Sequence, residues 1–465
     1  MPPLETSPDS SAEQAGWLLR QVIEKQPPPP RMHPGPKAAR TLSREGEPFL
    51  PQRPKSFEDL DIRTRDVRSL ILQLLLQRNG QLGTGIAESL KIPLRILEPL
   101  LKELRDERLV EIRKSTGHHD FEYALTDLGY AHARRDGERS SYCEAAPVSY
   151  RDYVESVERQ SPCQATITPE NLQRALADLH IRPELLSRLG RAIAGGRSMF
   201  LCGPPGNGKT SIAERLVRAY SDTIWIPYAV SFGGDIVRIF DPLVHHAVPD
   251  VVGGRSPADD RWVRIRRPAV VAGGELDLSA TCFRRDEQTG QLQAPLHLKS
   301  NCGVLVIDDF GRQRVRPDEL LNRWIVPLES RVDYLPLPSG RSFRVPFEQF
   351  LILSTNLKPA QLVDEAYLRR IPYKVEVSGP TSEAFLRQFL VMAGKLGLTL
   401  SEPQLAVRLI ERHFVTPDRP LRYCHARDLL VLVKHQCEFH GLPPVVTDEL
   451  LDEAVATYFF EPAAE

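Results

Sequence analysis

Residues 203–210 place three glycines, a lysine and a hydroxyl in a fixed spacing. The run Gly-Pro-Pro-Gly-Asn-Gly-Lys-Thr fits the phosphate-binding pattern G-x-x-x-x-G-K-[ST] at every fixed position. Glycine lets the backbone turn tightly, so that its N–H groups point at phosphate oxygens. Lys209 then reaches the outer phosphates, and Thr210 offers its hydroxyl to Mg²⁺. The predicted nucleotide contacts are Gly203, Pro204, Pro205, Gly206, Asn207, Gly208, Lys209, Thr210 and Ser211.

Two apolar runs further along the chain end in polar side chains. Residues 304–307 (Val-Leu-Val-Ile) precede Asp308 and Asp309, and residues 350–355 precede Asn356. Continuous apolar runs of this kind favour central strands of a parallel sheet. We expect Asp308 to hold Mg²⁺ through water and Asp309 to orient or deprotonate the attacking water. Asn356 is suited to bind the γ-phosphate or that water.

Arginines near the ends of helical segments complete the set. Arg369 and Arg370 end a predicted helix over residues 363–371, and Arg427 lies in the helical C-terminal part. An arginine supplied by a neighbouring subunit can accelerate phosphoryl transfer about 10³–10⁵-fold. An arginine at a helix end can equally interact with the helix dipole or a surface partner, and the sequence leaves these alternatives open.

The segments around the glycine run are those that would position it. Residues 198–202 predict a short buried strand leading in, and residues 211–217 predict a helix leading out. The partial positive charge of a helix N-terminus stabilises phosphate at the end of such a loop. The sequence therefore predicts an α/β fold with a parallel sheet for this part of the chain.

These motifs follow one another in the order found in the AAA+ ATPase superfamily, which residues 166–461 resemble. The resemblance implies ATP and Mg²⁺ as cofactors, ATP hydrolysis, and a homo-oligomeric ring or spiral that remodels an unidentified client. It makes Lys209 and Thr210 the Walker A residues. The other implied roles are Walker B for Asp308 and Asp309, sensor 1 for Asn356, arginine finger for Arg370 with Arg369 next, and sensor 2 for Arg427.

Residues 331–346 predict a hairpin just before the Asn356 strand. It is similar to the pre-sensor-1 hairpin of the clade that contains MoxR proteins and helicase-like ATPases. Two features depart from the common pattern. The acidic pair is Asp-Asp rather than Asp-Glu, a form that resembles helicase-loader and transposition ATPases, and residues 211–302 make an unusually long connection to it. That connection could supply central-pore loops, for example at residues 232–235 and 273–276.

The chain divides into five predicted parts. They are a disordered Pro-rich tail (1–56), a winged-helix domain (57–137), a linker (138–165), the α/β nucleotide-binding domain (166–379) and a helical lid (380–465). In the winged-helix domain, the third helix (94–107) carries Leu94, Ile96 and Leu100 beside Glu98 and Pro99. These residue types suit base reading poorly. They favour protein docking, with DNA binding and intramolecular packing as alternatives.

The composition narrows the class of protein. The formal net charge of −1 gives no global attraction to nucleic acid, although the basic run at residues 260–267 leaves that partner open. No apolar run approaches the roughly 18–20 residues that span a bilayer, and the N-terminus lacks a secretory signal, so we expect no membrane insertion. Seven cysteines without a C-x-x-C pair fit a reducing cytoplasm.

Overall fold

The computed structural model describes residues 49–115, 120–249 and 257–460. The predicted Pro-rich tail therefore lies almost entirely outside the described residues. The remainder contains five buried hydrophobic clusters.

The N-terminal part combines four helices with a small antiparallel sheet. Its elements are α1 (Thr64–Gln77), β1 (Gln81–Leu82), α2 (Gly83–Leu90), α3 (Leu94–Asp106), β2 (Val110–Ser115), β3 (Phe121–Leu125) and α4 (Asp127–Arg139). The strands are ordered β1-β3-β2. Leucines at positions 97, 101 and 104 share one face of α3 and are fully buried, as their spacing predicts.

The expected apolar docking patch on α3 is absent, because its apolar residues pack inward. Ile96 and Leu100 are only 5% and 4% exposed, and Leu94 is partly buried against the same cluster. That cluster also contains Ala229 and Ile236, which come from the insertion described below. Intramolecular packing is therefore the correct alternative for these side chains. The sequence alone does not show which apolar residues of α3 face the cluster, which includes Ile96 and Leu100 as well as Leu97 and Leu101.

The middle of the chain forms the α/β part and its insertions. Its first elements are β4 (Val148–Ser149), α5 (Tyr150–Arg159), α6 (Pro169–Ala175), α7 (Pro183–Ala194), β5 (Met199–Cys202), α8 (Lys209–Leu216), β6 (Thr223–Pro227), β7 (Ala229–Phe232), β8 (Asp235–Arg238), β9 (Trp262–Arg266) and β10 (Ala269–Ala272). Then follow β11 (Arg284–Arg285), β12 (Leu292–Gln293), α9 (Leu296–Lys299), β13 (Val304–Ile307), α10 (Pro317–Arg323), α11 (Ile325–Ser330), β14 (Val332–Pro336), β15 (Ser342–Pro346), β16 (Phe350–Thr355), α12 (Pro359–Leu362), α13 (Glu365–Arg370) and β17 (Tyr373–Glu376).

A five-stranded sheet in the order β10-β13-β16-β5-β17 forms the centre, and all of its ladders are parallel. The glycine run follows β5, the aspartate pair follows β13 and Asn356 follows β16. Since the carboxyl ends of parallel strands share one edge, these groups meet there; we call it the carboxyl edge and the opposite one the amino edge. All four residues of β13 are fully buried, as a continuous apolar strand requires.

The long connection before β13 is a packed β-structure rather than a set of loops. β11-β12-β8-β7-β4 form a second sheet, and β6 pairs with β9. Phe232 is fully buried, Asp235 accepts from Ser339 (2.6 Å) and the Gly233 carbonyl accepts from Arg341 (3.0 Å). The turn at residues 232–235 is thus occupied by the β14–β15 hairpin, which argues against its use as a pore loop.

The basic run at residues 260–267 is mostly structural. Arg261 is 1% exposed, is paired with Asp259 (2.8 Å), and donates to the carbonyls of Leu60 (3.5 Å) and Pro147 (3.0 Å). Arg267 is also buried and forms an ion pair with Asp222. These two guanidiniums hold chain segments together, so they are not available to nucleic acid.

The linker predicted over 138–165 is folded and the C-terminal part is mainly helical. Within the linker, β4 joins the second sheet and α5 packs on it. The C-terminal elements are α14 (Ser382–Leu396), β18 (Thr399–Leu400), α15 (Leu405–Ile410), α16 (Tyr423–His440), β19 (Val445–Val446) and α17 (Asp448–Phe459). The expectation of helices alone misses the short parallel pair of β18 and β19. In the described ranges, no helix is long and apolar enough to cross a membrane.

Candidate nucleotide site

The glycine run forms a tight loop between β5 and α8. Gly203, Gly206 and Gly208 have φ values of 141°, 80° and 79°, which residues with a side chain rarely adopt. A Cβ atom at Gly203 would lie 2.3 Å from the carbonyl oxygen of Val377. The loop therefore needs glycine for its backbone conformation as well as for access to a ligand.

Lys209 begins α8 and turns back over the loop. Its ammonium donates to the carbonyls of Gly203 (2.8 Å) and Pro204 (3.0 Å) and to Oδ1 of Asn356 (2.6 Å). Burial lowers the pKa of Lys209, and the carboxylates of Asp309 and Asp308 oppose that shift. An ammonium held by replaceable carbonyl oxygens is well placed to exchange them for phosphate oxygens.

The two aspartates occupy different positions at the carboxyl edge. Oδ2 of Asp308 accepts from the hydroxyl of Thr210 at 2.7 Å, which unites the two residues predicted to hold Mg²⁺. Oδ1 of Asp309 accepts from Nδ2 of Asn356 at 2.9 Å. A continuous set of contacts therefore runs from Lys209 through Asn356 to Asp309.

The turn after the aspartates carries a residue that the sequence analysis missed. Gln313 donates to the carbonyl of Asp308 (2.6 Å) and accepts from the N–H of Gly311 (2.9 Å). These contacts fix a turn in which Asp309 has a φ of +50°, a conformation that costs a non-glycine residue energy. A polar side chain two residues after a glycine is a weak signal, which explains why sequence alone did not single out Gln313.

The residues present fit a magnesium nucleotide. Mg²⁺ usually takes one or two protein ligands together with phosphate oxygens and water, and Thr210 and Asp308 match that need. Beside the loop, a cleft is lined by Leu179, Ile181, Ile212 and Tyr423, among others. Asn207 also lines it, and the Nδ2 atom of this 4% exposed residue has no hydrogen-bond partner among the described residues.

Comparison with known proteins supports the same class. Residues 381–457 match a family described as a domain of unknown function, DUF8689. The chain is 27% identical to spastin of Xenopus tropicalis over 239 residues, which are 51% of this chain and 31% of spastin. It is 26% identical to spastin of Bos taurus over 240 residues, or 52% and 30% of the two chains. The chain thus spans about a third of the curated relatives it matches.

The phosphate loop, the strand order of the central sheet and the similarity to spastin, an AAA ATPase, agree with one another. These findings support the AAA+ ATPase superfamily for this chain. More distant structural likenesses are NtrX from Brucella abortus (15% identity, 63% of this chain and 60% of that chain, TM-score 0.41) and the RuvB Holliday junction branch migration motor of Thermotoga maritima (14%, 63% and 70%, TM-score 0.33). The likeness to MoxR proteins stays a prediction.

The structure does not bring Arg427 to this site. Its side chain is 62% exposed and pairs with the adjacent Asp428 at 2.8 Å. Arg422, which sequence reasoning missed, lies closer to the loop. Its Cδ would be 3.5 Å from a Cβ atom built on Gly206. Its positive charge also contributes to lowering the pKa of Lys209. Nε of Arg422 is buried without a hydrogen-bond partner among the described residues. Arg422 is the N-cap residue of α16, so only the position of that helix start could have revealed it.

The two predicted finger residues lie at the amino edge, at the end of α13. Nε of Arg370 donates to Glu329 at 2.6 Å, and its Nη1 donates to the carbonyl of Ala366 at 2.8 Å. Arg369 is exposed and, within the part of the chain that the structure describes, has no recorded partner. The structure therefore brings Lys209, Thr210, Asp308, Asp309 and Asn356 together and keeps both finger arginines away from them.

Proposed function

We propose that this protein hydrolyses ATP with Mg²⁺ in a head-to-tail homo-oligomer and uses the energy to remodel a partner protein complex. The observation that carries the proposal is the contact set at the carboxyl edge. It comprises the Thr210–Asp308 hydrogen bond and the bridge formed by Asn356 between Lys209 and Asp309. A protein that binds nucleotide without hydrolysing it does not need a second carboxylate, here Asp309, beside the phosphate loop.

Each residue of the set has a distinct task. Lys209 neutralises the outer phosphates, and the loop N–H groups bind phosphate oxygens. Thr210 and Asp308 hold the magnesium ion, which offsets charge on the transferred phosphoryl group. Asp309 accepts a hydrogen bond from the attacking water, and Asn356 fixes the direction of its carboxylate. Arg422, at the start of α16, binds the phosphates and so couples the helical domain to the bound nucleotide.

The position of Arg370 supports action across a subunit boundary. Ser198 donates to the carbonyl of Arg370 at 3.1 Å, just where β5 begins, whereas the phosphate loop follows the end of β5. A four-residue strand spans roughly 10–13 Å. Because Glu329 also holds the guanidinium at the amino edge, Arg370 cannot reach its own phosphate loop. A head-to-tail contact that presents it to a neighbour generates a ring or a spiral.

The partner remains a protein in this proposal, with nucleic acid as the alternative from the sequence. Burial of Ile96 and Leu100 removes the apolar patch on α3, while burial of Arg261 and Arg267 weakens the case for DNA. Binding of DNA to the full chain should therefore be weak. A DNA affinity that falls steeply with salt would instead show that several phosphates are contacted and would favour a DNA-linked ATPase.

The central test measures nucleotide binding and turnover on the purified full chain. Lys209→Ala should abolish ATP binding, because it removes the positive charge that binds the outer phosphates. Asp309→Asn should keep ATP binding but block turnover. The neutral amide lacks the negative charge with which the carboxylate orients or deprotonates the attacking water. Normal turnover by the Asp309→Asn protein, or no turnover by the unaltered chain, would contradict the proposal.

A further inference from the structure

The start of α16 is attached to the phosphate loop through two consecutive backbone groups. The N–H of Cys424 donates to the carbonyl of Gly206 at 2.9 Å, and the N–H of Tyr423 donates to Oδ1 of Asn207 at 3.4 Å. Tyr423 and Cys424 are the first two residues of the helix, where N–H groups have no acceptor within the helix itself. The phosphate loop therefore supplies acceptors to the helix whose N-cap residue is Arg422.

The thiol of Cys424 shows how closely the helix approaches the loop. A Cβ atom built on Gly206 would lie 2.4 Å from Sγ of Cys424, so a side chain at position 206 would displace the thiol or the helix. The thiol is half-buried in this arrangement. The access of a reagent to this thiol therefore reports whether α16 lies on the loop.

Asn207 has a second polar atom that the contact with α16 leaves unused. The residue is 4% exposed, and over the described residues its Nδ2 has no hydrogen-bond partner. A buried donor without an acceptor destabilises the fold and calls for an explanation. Asn207 lines the cleft beside the loop together with Ile212, Val377 and Tyr423. This cleft is the route by which a ligand brings an acceptor to the amide.

The same amide lies at the junction between the central sheet and the helical C-terminal part. β17 ends at Glu376 and α14 begins at Ser382, so Gly379 belongs to the connection between them. A Cβ atom built on Gly379 would lie 3.9 Å from Nδ2 of Asn207 and 2.4 Å from the carbonyl oxygen of Leu421. One side chain of the phosphate loop therefore borders both the segment that enters the helical part and the segment that begins α16.

We propose that Asn207 is a positioning residue that couples a bound nucleotide to α16. Its Nδ2 donates to an acceptor atom of the nucleotide in the cleft, while its Oδ1 keeps the N–H of Tyr423. An amide fixed at both ends holds α16 on the loop, and with it Arg422. This inference rests on the proposed function and gives the side chain of Asn207 a task distinct from the phosphate binding predicted for the loop backbone.

The test measures how fast N-ethylmaleimide labels Cys424 in the full chain, read peptide by peptide by mass spectrometry. The exposed Cys163 of the same chain is the internal reference. Saturating AMP-PNP with Mg²⁺, an ATP analogue that is not hydrolysed, should slow labelling of Cys424 in the unaltered chain and leave Cys163 unaffected. Asn207→Leu should reduce that slowing about 2–10-fold, as expected for the loss of a hydrogen bond.

Two further variants isolate the amide nitrogen. Asn207→Asp keeps an oxygen for the N–H of Tyr423 but has no donor, so labelling without nucleotide should match the unaltered chain while the slowing by nucleotide is reduced. Because a carboxylate repels phosphate, the rates are compared at nucleotide concentrations that saturate each variant. This variant preserves the side-chain volume and decides the question if Asn207→Leu does not fold. Asn171→Ala, on α6 and outside the cleft, should match the unaltered chain in both rates.

Three outcomes would overturn the inference while ATP turnover by the unaltered chain keeps the proposed function intact. Undiminished slowing in the Asn207 variants would mean that Nδ2 meets only water. Faster labelling of Asn207→Leu without nucleotide, but with the full slowing by nucleotide, would leave Asn207 as a structural contact of α16 alone. The third outcome is an unaltered chain that binds AMP-PNP without any slowing at Cys424. A chain that neither binds nor hydrolyses ATP would instead refute the proposed function together with this inference.

Discussion

The side-chain oxygen of Asn356 accepts a hydrogen bond from the ammonium of Lys209 at 2.6 Å. The same carboxamide donates to Asp309, so the amide stands between the cation of the phosphate loop and the carboxylate beside it. Without this spacer, the ammonium and the carboxylate would be free to pair directly. A direct pair would withdraw both groups from the nucleotide and the attacking water.

Asn356→Ala should therefore lower kcat much more than it changes ATP affinity. Loss of one oriented polar group in a catalytic site costs about 10²–10³-fold in rate. Ser354→Ala is the matched control, because Ser354 lies two residues earlier on β16 and its buried hydroxyl has no hydrogen-bond partner among the described residues. Steady-state turnover and equilibrium ATP binding check the split. Equal loss in both variants would mean that the strand, not the amide, matters.

Arg422→Ala should weaken ATP binding, whereas Arg427→Ala should not. Arg422 lies against Gly206 with a buried, unpartnered Nε, while Arg427 is exposed and paired with Asp428. A hydrogen bond to a charged group contributes about 1.5–3 kcal/mol, which corresponds to roughly a 10–150-fold change in Kd. Titration with ATP and Mg²⁺ measures both variants. A larger effect of Arg427→Ala would restore the role first predicted for it.

Arg370→Ala should lower turnover about 10³–10⁵-fold if it is the arginine supplied to the neighbour. Arg369→Ala should have a smaller effect, because Arg370 alone is fixed in position by Glu329. Mixing Arg370→Ala chains with Asp309→Asn chains should recover part of the activity, since one defect lies in the donor and the other in the acceptor. Lack of recovery in the mixture would count against sharing of the site between subunits.

The central site could be predicted because its signals are local and chemical. A fixed spacing of glycines, lysine and threonine specifies a loop, and continuous apolar runs such as residues 304–307 specify buried parallel strands. The carboxyl edge then brings Lys209, Asp308 and Asn356 together with no further information. The α/β fold follows from the same strands.

The parts that were missed depend on packing between distant segments. Ile96 and Leu100 are expected at the surface of α3, but both are buried in the same cluster as Leu97 and Leu101. Arg261 and Arg267 form part of an apparent basic run, yet their partners Leu60, Pro147 and Asp222 are far away in sequence. Arg422 was missed because no motif marks it; only the start of α16 at Tyr423 brings it beside Gly206.

The stability of the fold should fall on mild acidification because of His245. This side chain is buried; its Nδ1 accepts from the N–H of Asp241, and its Nε2 lies 2.7 Å from the carbonyl of Lys299. Burial lowers the pKa of His245 to about 4, an effect that the Asp241 carboxylate only partly opposes. Between the unfolded value near 6.5 and this lower value, the unfolded chain binds a proton that the folded chain does not.

The contribution of His245 to the free energy of unfolding is therefore complete above about pH 6.5 and falls by about 2 kcal/mol by pH 5. His245→Asn, whose side-chain oxygen can replace Nδ1 as the acceptor, should flatten this dependence by about one proton without abolishing it. A residual slope is expected because burial also lowers the pKa of His425 and His297. Chemical denaturation at several pH values measures the slope, with the exposed His132→Gln as control; identical slopes for the His245→Asn variant and the unaltered chain would contradict the assignment.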